Sequence, residues 1–249
     1  MSDPRSTNPY TSSSAVPGTI GAEREMTAPA IQVDAKTQQA FLTQAFLWMF
    51  VGLGVTAVIA YVVQSNERLL EFAASNLLIL IIAQLGLVFA IGLGIRRMNA
   101  SLALGLFFVY AASLGVTMGL IVTAYTQASV VSAFLSSSAM FGAAAIYGHV
   151  TKRSLARIGS LLFMALIGLV VAMVINLFLR SDAASFVISI VGVVIFTGLT
   201  AWDVQRIQNG QLAIYTGSVE KAAVMGALTL YLDFVNLFLF MLRLFGGRN

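Results

Sequence analysis

Residues 222–242 read AAVMGALTLYLDFVNLFLFML, a run in which the only charged side chain is Asp233. At a rise of about 1.5 Å per residue, a helix of roughly 20 apolar residues crosses a bilayer core of about 30 Å. The stretch is therefore read as a membrane span with a carboxylate near its centre. An ionised Asp at that depth costs roughly 2.5–3.5 kcal/mol on insertion scales, so such a residue turns towards protein and marks a functional path.

The rest of the chain is the same material. Of its 249 residues, 59% are hydrophobic and 10% charged, too apolar for a soluble domain with a polar surface. Spanning length is reached by Ala45–Val63, Leu77–Ile95, Leu102–Ala124, Ala128–Tyr147, Gly159–Leu179, Ala183–Ala201 and Ala222–Leu244. The expected fold class is an all-α membrane protein of seven transmembrane helices. No span contains Pro, so nothing calls for a broken helix. Gly115 and Gly119 share one face of the third span, and Ser136, Ser137 and Ser138 populate the fourth, small residues that let helices approach closely. All four Pro (Pro4, Pro9, Pro17, Pro29) fall in the first 44 residues, among Ser, Thr and Gly. Residues 1–44 are read as a disordered cytoplasmic tail, and 45–249 as the transmembrane domain. The first apolar run begins too far along the chain and is too long for a signal peptide, so it is expected to remain as an anchor.

The formal charge of +4 is carried by Lys and Arg scattered between spans, without the patch that nucleic acid requires. The expected surroundings are a lipid bilayer. With no Cys in the chain, disulfides, thiol catalysis and thiolate metal sites are excluded. Ten Lys and Arg lie in the tail and in the loops holding Arg96 and Arg97; Lys152, Arg153 and Arg157; and Arg206 and Lys221. Four lie on the other side: Arg68, Arg180, Arg243 and Arg248. The positive-inside rule then puts the N-terminus in the cytoplasm. No loop is long enough to house a catalytic domain, so any transport or chemistry belongs to the helices.

Asp203 closes the sixth span in FTGLTAWDVQRIQ, and the seventh runs back from the same side carrying Asp233. These carboxylates can meet provided the sixth helix continues past Asp203 towards Ile207. Two such groups at hydrogen-bonding distance resist double ionisation, share a proton and titrate as a pair. They also offer hard oxygen ligands, although calcium prefers six to eight oxygens, so the pair is read as a weak calcium site suited to a pathway. Another reading pairs Asp203 with Arg206 one turn along the helix, and Asp233 with Asn236 or a backbone group. Arg96 could reach the pair or snorkel to the interface, and snorkelling also suits Arg243. His149, the only His, is an available pH sensor or an interfacial side chain. Tyr231 and Trp202 are ordinary neighbours for either arrangement.

At residues 227–246, ALTLYLDFVNLFLFMLRLFG resembles the C-terminal signature of the Bax-inhibitor (transmembrane Bax-inhibitor-motif) family. YGHVTKRSLARIGSLLFMALIGLVVAMVINLFL, at 147–179, is similar to the middle of its bacterial members, and TAWDVQRIQ, at 200–208, precedes the last loop as the resemblance requires. The resemblance covers the chain from about Ala45 onward. It implies seven helices, with the C-terminal one wrapped by two layers of three. It also implies a pH-sensitive calcium leak controlled by a di-aspartyl unit that falls on Asp203 and Asp233. An arginine latching this unit falls on the Arg96–Arg97 doublet, with Arg96 the deeper choice. Gln84 stands where some relatives carry an acidic residue, which removes any cation contact there that depends on charge.

The expected function is thus a passive, pH-gated calcium leak with calcium and protons as its partners, without enzymatic activity and without a bound cofactor. Two other classes are carried beside it. One is a non-conducting regulator that docks a membrane protease or another membrane protein, with the tail as docking segment. The other is an intramembrane aspartyl protease, which also places one Asp on each of two adjacent spans. That chemistry goes with GxGD around the second Asp, where this chain has Leu230, Tyr231, Leu232 and Asp233. A bacterial inner membrane is the expected location.

Overall fold

Each apolar run becomes a helix because, inside a bilayer, backbone N–H and C=O groups find partners only in their own helix. The structure, a computed structural model, describes residues 35–246. Seven helices have spanning length and apolarity: α1 (Ala35–Gln64), α3 (Leu77–Gly94), α4 (Ala100–Val122), α5 (Gln127–Val150), α6 (Ala156–Leu179), α7 (Asp182–Gln208) and α9 (Val219–Phe245). Two shorter helices, α2 (Glu67–Ser75) and α8 (Gln211–Thr216), lie in connections. The chain is an all-α membrane protein of seven spans. The expected tail up to residue 34 lies outside the described residues.

Five of the helix starts are set by polar caps that the sequence supplies. Asn66, Asn99, Thr126, Ser181 and Ser218 accept backbone N–H groups at the first turns of α2, α4, α5, α7 and α9, which satisfies donors left without an intrahelical acceptor. Two boundaries differ from those read off the apolar runs. α1 starts at Ala35, upstream of the apolar segment, because Phe41 and Leu42 already find protein to bury against. α7 runs beyond Ala201 to Gln208, because Val204 and Ile207 are buried one turn and two turns further on. That extension is the condition on which the meeting of Asp203 and Asp233 rests. Gly210 at φ 69° and Gly217 at φ 76° then bracket α8, left-handed positions that other residues adopt only with strain.

Burial separates the spans. In α9, 67% of the most apolar window is buried, against 11% in α3 and in α6. α9 packs against α1, α4, α5, α7 and α8, whereas α3 packs chiefly on α4 and α6 on α7. The expected wrapping of the last helix by all six others is thus modified: four spans line it, and two lie outside them with apolar side chains such as Leu93, Leu177 and Phe178 exposed. A helix bathed in lipid keeps such residues outside without penalty.

Small residues and one polar tether draw the inner helices together. A Cβ at Gly115 or Gly119 of α4 would collide with α1, where the backbone carbonyls of Thr56 and Ala60 lie against these glycines. At the same level Thr56 Oγ1 lies 3.0 Å from the Gly52 carbonyl and 2.9 Å from that of Ala111. Its single proton is shared between those acceptors, so Tyr231 donates to it across 2.5 Å. Tyr231 is fully enclosed, edge-on to the rings of Phe107 and Tyr110. This ties α1, α4 and α9 at one point. In a double-mutant cycle of Thr56→Val and Tyr231→Phe, read by unfolding in detergent, the coupling is expected near 1 kcal/mol and below about 2. Additive losses would show that the two hydroxyls do not depend on each other.

Candidate functional site

The C-terminal half of α7 presents Thr200 and Asp203 one turn apart, both buried, towards the middle of α9. Asp233 meets them there with 4% of its surface exposed. Asp203 and Thr200 are the polar neighbours of Asp233 in this site. Thr200 Oγ1 donates to the Phe196 carbonyl at 2.7 Å, so its proton is already engaged within α7. Asp233 Oδ2 has no hydrogen-bond partner among the described residues. An orphaned buried carboxyl oxygen is rare in folded proteins. Two carboxyl groups in one dry site share a proton more readily than they ionise together.

The partners of Asp203 are local. Arg206 Nη1 stands 3.5 Å from Asp203 Oδ1, and the guanidinium lies 5.1 Å from the centre of the Trp202 ring. Of the two local pairings open to the sequence, the one with Arg206 forms. Asn236 donates instead to the Leu232 carbonyl. Arg96 is not brought to the pair: α3 ends at Gly94, Arg96 sits exposed in the turn beyond, and its backbone carbonyl accepts from Lys221 Nζ at 3.2 Å. Arg97, His149 and Arg243 are exposed as well. Gln84 is buried and donates to the Ser113 carbonyl and to Thr117 Oγ1, tying α3 to α4.

Thr200 and Gln205 are residues of the site that sequence reasoning missed. Thr200 could have been found by its spacing of one turn from Asp203. Gln205 had no such signal, since its partners are distant in sequence. Its Oε1 accepts from the Leu155 N–H at 2.8 Å and its Nε2 donates to the Arg153 carbonyl at 2.9 Å. The end of α7 that carries Asp203 is thereby pinned to the loop between α5 and α6. Trp202 tightens the same corner, because a Cβ on Gly159 would fall within its ring. Replacing Gln205 by leucine leaves a backbone donor and an acceptor unpaired, and is expected to lower stability by roughly 1–3 kcal/mol, measurable as a fall in melting temperature. A melting temperature unchanged from the parent would mean the loop does not depend on this side chain.

The family whose description is Inhibitor of apoptosis-promoting Bax1 matches residues 38–249. The chain belongs to the Bax-inhibitor family. Relatives in this family include inner membrane protein YbhL of Escherichia coli (strain K12), 42% identical over 85% of this chain and 93% of YbhL. A Deinococcus radiodurans protein is 41% identical over 88% of this chain and 99% of its own. A Rickettsia prowazekii protein, RP147, is 38% identical over 84% and 90%. These bacterial similarities, with the seven apolar helices, make this Bax-inhibitor family protein an integral membrane protein. Among its described residues, no three His, Asp or Glu converge as a metal cage, so the acidic pair is its candidate centre, with at most four carboxylate oxygens to offer a cation.

Proposed function

We propose that this protein is a passive cation leak for calcium, gated by protons at Asp203 and Asp233, in a bacterial inner membrane with its N-terminus in the cytoplasm. The observation that carries this reading is the buried Asp233, whose Oδ2 lacks a partner beside a second carboxyl. A proton shared by the pair removes charge from the interior and lets α7 and α9 close. Loss of that proton sets two carboxylates against each other in a low dielectric, favours a wider arrangement and supplies ligands for a passing cation. Four oxygens at most fall short of the six to eight that calcium prefers. Such a site holds the ion loosely enough to release it, as conduction needs. Arg206, already beside Asp203, moderates the pair from the cytoplasmic side. No enzymatic step enters this mechanism.

The test is flux. Purified protein in liposomes containing a calcium-sensitive dye is expected to pass calcium down its gradient, at a rate that changes across the pH range. Protein-containing liposomes no leakier than empty ones at every pH would refute the proposal.

A further inference from the structure

At the end of the bundle opposite the basic loops, a crevice of about 690 Å³ lies among α1, α4, α5 and α9. Phe134 of α5 and Phe234 of α9 line it, and their rings pack edge-on with centroids 5.9 Å apart. Its mouth is at the lipid surface, where the lining residues Val131 and Leu135 of α5 are 57% and 62% exposed. Its polarity is graded. The deep wall is built from apolar groups such as Leu53, Ala60 and Met118, while the exposed Gln64 and Gln127 stand at the rim. The one deep hydroxyl, Thr56, is already committed to two carbonyls and to Tyr231. The amides of Gln64 and Gln127 make no side-chain hydrogen bond within the described residues.

We propose that this crevice is a binding site for one acyl chain of a bilayer phospholipid, with the ester and glycerol oxygens of the lipid held at the rim by Gln64 and Gln127. Three physical points select this occupant. Buried water needs two to four polar partners, and the deep wall offers none that is free. The volume lies in the range of about 300–1,000 Å³ typical of ligand pockets. The lining carries no charged side chain, which suits the neutral ester region of a lipid and gives no purchase to an ion or an anionic headgroup. Whatever fills the crevice touches Phe234, the neighbour of Asp233 on α9, so a bound chain wedges α1 from α5 next to the acidic pair. The site itself stands independently of calcium transport.

The absence of Cys from the chain makes a clean test. Ala60→Cys, at a buried lining position, reconstituted in phosphatidylcholine vesicles, is expected to resist a water-soluble thiol reagent. Rapid labelling would mean a water-filled vestibule and would overturn the proposal. In a second measurement, vesicles contain phosphatidylcholine with a photoreactive group on one tail, and cross-linked peptides are mapped. Peptides lining the crevice are expected to be labelled about tenfold more than the exposed face of α6, a ratio that Ala57→Phe abolishes by filling the space. Val58→Phe adds the same ring to the neighbouring exposed position outside the crevice and should leave the ratio unchanged. Equal labelling of crevice and α6 in the parent protein, or a ratio indifferent to Ala57→Phe, would refute a dedicated chain site.

Discussion

Replacing Gly148 by valine is expected to cost at least about 3 kcal/mol and to remove most of the folded protein, since overpacking typically costs about 1–3 kcal/mol and more where nothing can yield. Gly148 lies in α5, and a Cβ there would fall onto the carbonyl oxygen of Ala201 in α7, with the Ala201 carbonyl carbon and Cα next nearest. All three are backbone atoms, so no rotamer relieves the clash and the helices must separate. Against a total stability of about 5–15 kcal/mol, such a loss is a large share. Size-exclusion profiles and melting curves in detergent would report it as a lost monodisperse peak and a lower transition. Gly168→Ala in α6 is the control: the space there is open, and the change is expected to be neutral or to stabilise by up to about 1 kcal/mol. Wild-type melting of Gly148→Val would mean that α5 and α7 do not touch here. The placement of Asp203, just beyond Ala201, would then lose its support.

Asp203→Asn and Asp233→Asn, tested separately, are expected to lower calcium flux by about a hundredfold or more and to flatten its response to pH. A unit charge 4 Å away contributes about 4 kcal/mol at an effective dielectric of 20, enough for such a change in rate even after part of it is screened. Asparagine keeps the shape and one oxygen but neither takes nor releases a proton at these pH values, so it holds the position permanently uncharged. Both variants should remain folded, because removing a buried ionisable group in favour of a neutral one of similar volume is often neutral or stabilising. Folded variants that conduct and respond to pH like the parent would separate the acidic pair from transport altogether.

Much of this site could be read before any coordinates, for a physical reason particular to membranes. Lipid imposes one requirement on every residue between its faces, so a single charged side chain in the run from Ala222 to Leu242 stands out as it would not in a soluble helix. The spans from α3 to α6 follow from the same rule to within a few residues. The helix boundaries around the site did not. Apolarity alone ends the sixth span at Ala201, because Trp202, Asp203 and Gln205 look like an exit to water. Only the packing of Val204 and Ile207 against the rest of the bundle carries the helix on to Gln208. Likewise α2 and α8 are too short to leave a lipid-scale pattern.

The partners of the acidic pair show where linear reading stops. Arg96 and Arg206 were both candidates for reaching it, and the choice belongs to the fold: α3 is an outer helix ending at Gly94, while Arg206 rides on α7 itself. The amino-acid sequence by itself determined that this is a seven-span membrane protein, with acidic groups on its last two spans, because hydropathy and charge are properties of single residues and short runs. Tertiary structure alone decided that α9 is lined by four spans, that Gln205 grips a distant loop, and that a crevice opens between α1 and α5. Those features come from contacts between segments far apart along the chain, where the fit of side chains and backbone, rather than their polarity, sets the outcome.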